Sequence, residues 1–477
     1  MPVSLLLCAL VLSADPDAGV AAPSMQPAPW PVADAGVPPA LGSPTIDAPA
    51  SRTALDGGEP RADEPPPSDQ KLLHAAAEVG LTSFPSGTPG GWQDGFLELA
   101  PIVGIDLGDP FALEVGAEFR LRLIDSPPDQ RAGDIGGVLR RADWDEASDF
   151  GQLIRSLRIS KPESVFWLQA GAVRNKTLGL GHLLSRYSNQ DNPDYHPAGA
   201  TIGARYKAIR AEAFASDILG ARIFAGEVVA DVGRIFGNTQ SVYDRFHLAF
   251  SIAHDEGRAG YVAGRVSLFQ LDLDAILFRT ATTRLMILVG LGGRAADALD
   301  ATPDPGFLAG LAVDATFEGG FSIGGRFEVR KQGSGFRQGF IGAGYELARF
   351  AGTGFSGPSR MAEQLPDGFS VDGELHIASG TAVSFDLALE YFNWGRADLD
   401  ALFSLEIIDH RLVAGARFTG TGLGQVPRYA VTSELRLRIF SSFYVLGSGG
   451  TVFFPQSDGT LVRGVYAGAG AGFDFER

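Results

Sequence analysis

Cysteine occurs once in the 477 residues, at Cys8. A single thiol excludes an intrachain disulfide framework and any cysteine-based metal site. Basic residues are outnumbered 39 to 56, which leaves a formal net charge of −17. A phosphate polymer needs a basic footprint, so the acidic balance disfavours nucleic acid, and none is expected as a partner. Nowhere does the chain hold the roughly 18 consecutive apolar residues that mark a membrane helix. Helical amphipathic windows are essentially missing as well. Tryptophan and tyrosine are few, 5 and 10, against 32 phenylalanines and 62 glycines. These absences leave a β-rich, glycine-rich chain with no helical membrane bundle and no stapled core.

The first seventy residues differ from the rest. Residues 3–14, VSLLLCALVLSA, are apolar but too short to span a bilayer as a helix. They read as the apolar core of a secretion signal over residues 1–14, although no Lys or Arg precedes them. Leu7 stands before Cys8 where a lipoprotein signal wants a small residue, so lipidation is not expected. Residues 15–70 are rich in Ala, Pro and Asp, as in DPDAGVAAPSMQPAPWPVADAGVPPALG. Proline withdraws backbone donors, and burial cannot offset ordering entropy where large apolar residues are almost absent. A disordered linker follows, either a plain spacer or a tether to the cell wall or a partner.

From Leu72 the texture alternates with period two. Phe111, Leu113, Val115, Phe119, Leu121 and Leu123 interleave with Glu114, Gly116, Glu118, Arg120 and Arg122. Phe321, Ile323, Phe327 and Val329 interleave with Ser322, Arg326, Glu328 and Arg330. Successive side chains of a strand point to opposite faces, so one face is apolar and the other charged. The charges sit in strand interiors, and the runs last about 9 to 13 residues, the length of a tilted bilayer span. A soluble sandwich uses strands of about 5 to 6 residues. The pattern predicts an all-β fold: a single transmembrane antiparallel β-barrel over 72–475, of about 18 to 22 strands, 20 to 22 preferred.

Turns support this. Short connections fall at Gly108–Asp109–Pro110, Lys161–Pro162–Glu163, Ser379–Gly380–Thr381, Asp409–His410 and Ser441–Ser442. Long ones lie near 125–148, 176–197, 349–367 and 420–427, each after an odd-numbered strand. Long loops on one side and short turns on the other, with both termini on the short side, are what an outer-membrane barrel requires. The run from Arg258 to Thr280 lacks a clear turn and reads as one strand or two. Val465, Ala467, Ala469, Ala471, Phe473 and Phe475 alternate to the end, with Glu476 and Arg477 beyond them.

The stretch beginning LQAGAVRNKTLGLGHLLSRYSNQDNPDYHP carries Asn175, Thr177, Leu178, Gly179 and Gly181, then Tyr187, Ser188 and Asn189. Glu212, Phe214, Ser216 and Asp217 follow. Over about sixty residues it resembles a segment of porin-like outer-membrane barrel proteins of Gram-negative bacteria. The resemblance implies an outer-membrane location, a periplasmic N-terminal segment, and a loop that folds inward to narrow a pore. On that basis Lys176, His182, Arg186, Tyr187, Asn189 and Asp191 are the expected constriction residues. A well-packed surface loop is the alternative.

Periodicity alone places Glu118, Arg120, Arg122, Arg205, Arg326, Arg330, Glu374, Asp386, Arg436 and Arg438 on the lumen side. Rings of inward charge can set ion selectivity, or both signs can pair across strands and keep the interior hydrated. His182, Ser185 and Asn189 match a hydrolase set in type only, and no catalytic function is expected. His182, Asp191, Asp194 and His196 match no standard metal spacing, so neither metal nor cofactor is expected. The glycine clusters at 290–293 and 468–472 precede no helix and hold no phosphate loop. The expected function is passage of small hydrophilic solutes, passive or weakly selective. The alternatives are a blocked barrel with a structural or surface-interaction role or, behind it, a barrel hydrolase. Outer-membrane lipid is the expected partner, and a homo-oligomer is compatible with the pattern.

Overall fold

The computed structural model describes residues 73–85, 93–125, 138–144, 147–162, 164–191, 196–235, 246–256, 265–295, 305–317, 319–349, 366–380, 382–407, 411–425, 427–455 and 461–476. The expected signal over 1–14 and linker over 15–70 lie outside them.

Twenty-one strand segments build one sheet: β1 (Leu73–Pro85), β2 (Gln93–Asp106), β3 (Phe111–Gly116), β4 (Phe119–Ile124), β5 (Ile154–Ile159), β6 (Phe166–Gly171), β7 (Gly199–Tyr206), β8 (Ile209–Ala215), β9 (Ile223–Asp231), β10 (Phe246–Asp255) and β11 (Val266–Arg279). They continue as β12 (Thr283–Arg294), β13 (Gly306–Thr316), β14 (Phe321–Gln332), β15 (Gly368–Ser379), β16 (Val383–Phe392), β17 (Arg396–Ile407), β18 (Leu412–Leu423), β19 (Arg428–Arg438), β20 (Phe443–Pro455) and β21 (Leu461–Glu476). β3 and β4 lie in succession against β2 as one interrupted stave, so the wall has twenty staves. Every pairing is antiparallel, and β1 closes on β21 from His74↔Glu476 to Ser83↔Ala467. Closure leaves no sheet edge and pairs the backbone within the wall.

The two faces sort as the alternation requires. On β11, Gln270, Asp272 and Asp274 are buried inside, while Phe269, Leu271 and Leu273 stand exposed outside. On β14, Glu328 and Arg330 face in, and Phe327 and Val329 face out. The apolar outer face continues round the ring through Leu81, Phe250, Val289, Leu311, Val371 and Leu389. A monomer in water does not leave so continuous an apolar belt exposed. The barrel spans a membrane, in the architecture of outer-membrane barrels. Near the end where β1 begins and β21 stops, phenylalanines form part of a girdle: Phe317 lies 5.7 Å from Phe321, and Phe443 4.9 Å from Phe473.

Inward glycines make room for rings. A Cβ on Gly472 would sit 2.3 Å from the Tyr444 ring, so that ring lies flat against β21 and donates its hydroxyl to Glu78 at 2.5 Å.

Two expectations need correction, and one open alternative is resolved. Strands are not uniformly 9 to 13 residues: β3 to β6 have six each, and β21 has sixteen. The short ones follow from interruptions. The Glu118 amide turns to the Gln152 side chain at 3.2 Å, and the chain leaves the wall at Gly171, whose φ is 139°. The connection expected over 420–427 is tight, because β18 runs to Leu423 and Gly422 and Gly424 take positive φ. Between 266 and 279 there is one strand, β11.

Leu271→Arg, in the middle of the outer belt, is expected to destabilise the barrel by about 2–4 kcal/mol in denaturant titrations in lipid vesicles. Thr432→Arg, on the inner face of β19, should cost far less. Equal losses would mean the two faces are wrongly assigned.

Candidate functional site

Among the described residues, two connections leave the wall and reach across the lumen to each other. The first inner loop runs from Gly171 to Gly199. At its neck Asn189 is a clasp: its Oδ1 accepts from the Val173 amide at 2.9 Å, and its Nδ2 donates to the Ser216 carbonyl at 2.7 Å. Lys176 and Tyr187 exchange two backbone hydrogen bonds of 2.8 Å, which makes the loop a hairpin. Gly179 and Gly181, with φ of 53° and 79°, turn its tip. At Gly179 a Cβ would collide with the Glu227 side chain, so only glycine lets the tip approach β9.

The tip is anchored by both kinds of force. Leu180 is buried among Ile276, Met286, Leu288, Leu308 and Ala312 on the inner wall, a contact of about 1.5–3 kcal/mol for a fully buried leucine. Its carbonyl accepts from Arg326. Next to it His182 is fully buried, with Nδ1 2.8 Å from Asp272 Oδ1 and Nε2 2.9 Å from Glu328 Oε1. Carboxylates only accept, so both ring nitrogens carry protons and the side chain is an imidazolium. No ring lone pair remains to activate Ser185. Burial alone would push the imidazole down, but Glu328 and then Asp272 outweigh it and hold it up at about 9.

The second inner loop follows β14 over residues 333–349. It pairs in parallel with the first at Leu184↔Ile341. The Ser185 amide donates to Ile341 and the Ile341 amide to Leu183, both at 3.0 Å. Tyr187 donates its hydroxyl to Glu346 at 2.6 Å, and Tyr345 donates to Asp255 on β10 at 2.7 Å. Leu183, Leu184, Phe336, Phe340 and Ile341 share one apolar cluster with inward residues of β9 to β11. Wall Arg417 on β18 donates to the backbone carbonyls of Arg174 and Arg186. The first loop therefore reaches from β6 to the far wall.

Beside the loops lies a narrow cleft against β14 to β18. Arg186, Arg330 and Arg337 line it together with Asp372, Glu374, Glu390, Asp398 and Asp400. Arg186 has a left-handed φ of 52°, its amide donates to Thr177 Oγ1 at 2.9 Å, and its guanidinium lies 3.2 Å from Glu374 and 3.5 Å from Asp400.

Of the six residues expected at the constriction, Arg186 lines this cleft. The others hold the loop. Lys176 pairs with Glu212 on β8 and lies over Trp167. His182 and Tyr187 are struts to the wall and to the second loop, and Asn189 is the neck clasp. Asp191 is buried, which raises its carboxyl to about 7 against the opposing pull of Arg417. His196 is buried near Arg120 and held down at about 3. Asp194 lies outside the described residues.

The expected lumen charges divide likewise. Arg330 and Glu374 line the cleft, and Arg326 stands behind it, 2.5 Å from Glu374. Glu118 and Arg120 lie in a dry cluster under the segment 138–144, where Arg120 meets Glu118 at 2.5 Å and Asp143 at 2.8 Å. Arg122 faces inward over Phe96. Arg205 points inward from β7, and Asp386 is paired with His376 at 2.6 Å. Arg436 and Arg438 converge on Asp474. The second inner loop, with Arg337, and the wall pair Asp398 and Asp400 were not foreseen.

No family model matches the chain, and no curated protein does. Solved structures similar to it include the outer membrane protein OpdK of Pseudomonas aeruginosa, at 9% identity over 85% of this chain and 99% of that one, TM-score 0.32. OccAB4 of Acinetobacter baumannii matches at 7% identity over 86% and 99%, TM-score 0.33. A BenF-like porin from Pseudomonas fluorescens matches at 10% over 86% and 99%, TM-score 0.33. At these values nothing about the cleft passes from those proteins to this chain.

The His182 clasp has a pH sign. A histidine held above its ordinary value stabilises fully below about 6.5 and loses that contribution as pH rises through about 9. Limited proteolysis of the first inner loop should therefore stay slow at neutral pH and accelerate above pH 9. His182→Gln removes the cation between Asp272 and Glu328 but leaves Glu328 paired with Arg330 at 2.7 Å, so it should weaken docking by about 1–3 kcal/mol and remove the pH step. A step that persists in the variant would assign it elsewhere.

Proposed function

We propose that the chain is an outer-membrane channel of a Gram-negative cell, with its N-terminal segment on the periplasmic side. Small hydrophilic solutes pass through the cleft beside the two inner loops, passively or with weak selectivity. The observation that carries this reading is the charged lining of that cleft. Three guanidiniums and five carboxylates face the remaining space instead of an apolar seal. Fixed charges of both signs hydrate a narrow passage and can discriminate among solutes. The first inner loop, anchored at its neck, tip and far side, sets the width, and Lys176, His182, Tyr187, Asn189 and Asp191 act by holding it in place. Lipid on the outer belt is the partner this reading requires.

The dry contact between Leu184, Phe340 and Ile341 favours a second reading, a barrel whose loops block the lumen and whose role is structural. Planar-bilayer recording separates the two. The channel reading expects discrete conductance steps from purified protein. Deleting residues 183–195 should raise single-channel conductance while the barrel stays assembled, because the deletion removes Leu184, Arg186 and the bridge to Ile341. Steps only in the deletion form would favour the blocked barrel, and absence of steps in both forms would remove the channel. Steps that the deletion does not change would move the constriction away from this loop.

A further inference from the structure

We infer that Arg186 sets which charge the cleft admits: it is a tethered cation seated between Glu374 and Asp400, and a small organic cation, an ammonium or guanidinium, passes by taking its place. This rests on the channel reading and names the solute class for that passage.

The three arginines of the cleft are held very differently. Arg330 grows from the wall and is gripped by Glu328 at 2.7 Å, Asp372 at 3.0 Å and Glu390 at 3.3 Å, with 3% of its side chain exposed. Arg337 pairs with Asp398 at 2.9 Å and lies over the Phe392 ring, with 2% exposed. Arg186 comes from a loop, its two carboxylates are at 3.2 and 3.5 Å, and 20% of its side chain is exposed. Its guanidinium can swing away without disturbing a strand.

The carboxylates it would leave are already provided for. Glu374 keeps Arg326 at 2.5 Å, and Asp400 keeps Arg417 at 3.1 Å and the Thr419 hydroxyl at 2.8 Å. Departure of Arg186 strands no buried charge, so the exchange avoids the large penalty of an orphaned ion. It also changes the balance of the lining from five carboxylates and three guanidiniums to five and two. The vacated seat has the geometry of its former occupant, since two carboxylates flanking a planar cation suit a free guanidinium as well as a tethered one. An anion meets the opposite situation. It must pull Arg186 from two carboxylates and then pass the remaining wall acids.

The test is reversal potential in a potassium chloride gradient, with wild type, Arg186→Gln and Arg284→Gln, a charge on β12 paired with Asp314 and outside the cleft. Arg186→Gln should shift permeability toward cations several-fold, and Arg284→Gln should not. Methylguanidinium chloride should block potassium current at lower concentration in Arg186→Gln than in wild type. If Arg186→Gln fails to assemble, Arg186→Met takes its place. An unchanged ratio, or a shift toward anions, overturns the inference while leaving the channel standing. A readout without current separates the two claims: ligand-observed NMR of methylguanidinium with detergent-folded barrel. Tighter binding in Arg186→Gln with no conductance in any form would sustain the seat and sink the channel. Equal binding in both proteins would sink the seat.

Discussion

A backbone that crosses a membrane has no water to bond with, and this constraint organises the whole molecule. Here it is met by a ring of antiparallel staves closed between β1 and β21. Once the ring is closed, period two does the rest. Every residue that faces lipid has neighbours that face the lumen, so an apolar exterior forces a separate polar interior. Asp272 and Leu271 are adjacent in the chain and live in opposite media.

The polar interior in turn decides how a connection can fold inward. A loop brought into the lumen carries its own backbone groups and must find partners for them. The wall supplies those partners as charges: Arg417 and Arg326 take carbonyls, and Asp272 and Glu328 clamp His182. Where the loop meets the wall through carbon, at Leu180, the inner face has turned apolar to receive it. The second inner loop completes the arrangement by pairing with the first, so the hairpin is held on two sides by side chains and along one edge by backbone.

The barrel was legible in the sequence because a face-sorting pattern repeats in almost every stave, as on β11 and β14. The inward course of the first loop was legible only through resemblance, and the roles inside it were not. Tyr187 and Asn189 have the same hydrogen-bonding chemistry whether they line a passage or tie a neck, and the difference lies in the partners Glu346 and Ser216, which are remote in the chain. The second loop was hidden for a specific reason. Ile341, Ala343, Tyr345 and Leu347 alternate with Gly342, Gly344 and Glu346, so the segment imitates a strand and delays the apparent loop to 349. Ile341 is buried against the first loop and Leu347 against Ala430 and Phe453 of the inner wall, destinations that period two cannot distinguish from lipid.

The His182 clasp also bears on how the ring is put together. Every wall residue that fastens the tip and far side of the first loop, from Asp272 to Arg417, is later in the chain than the loop itself. The hairpin has its neck early and its seat only when most staves are in place. A slip of one residue in β11 or β14 would turn Asp272 or Glu328 to the outside and present His182 with leucine or valine. The docked imidazolium therefore ties the hairpin to one register of the sheet, since its two carboxylates face it only in that alignment.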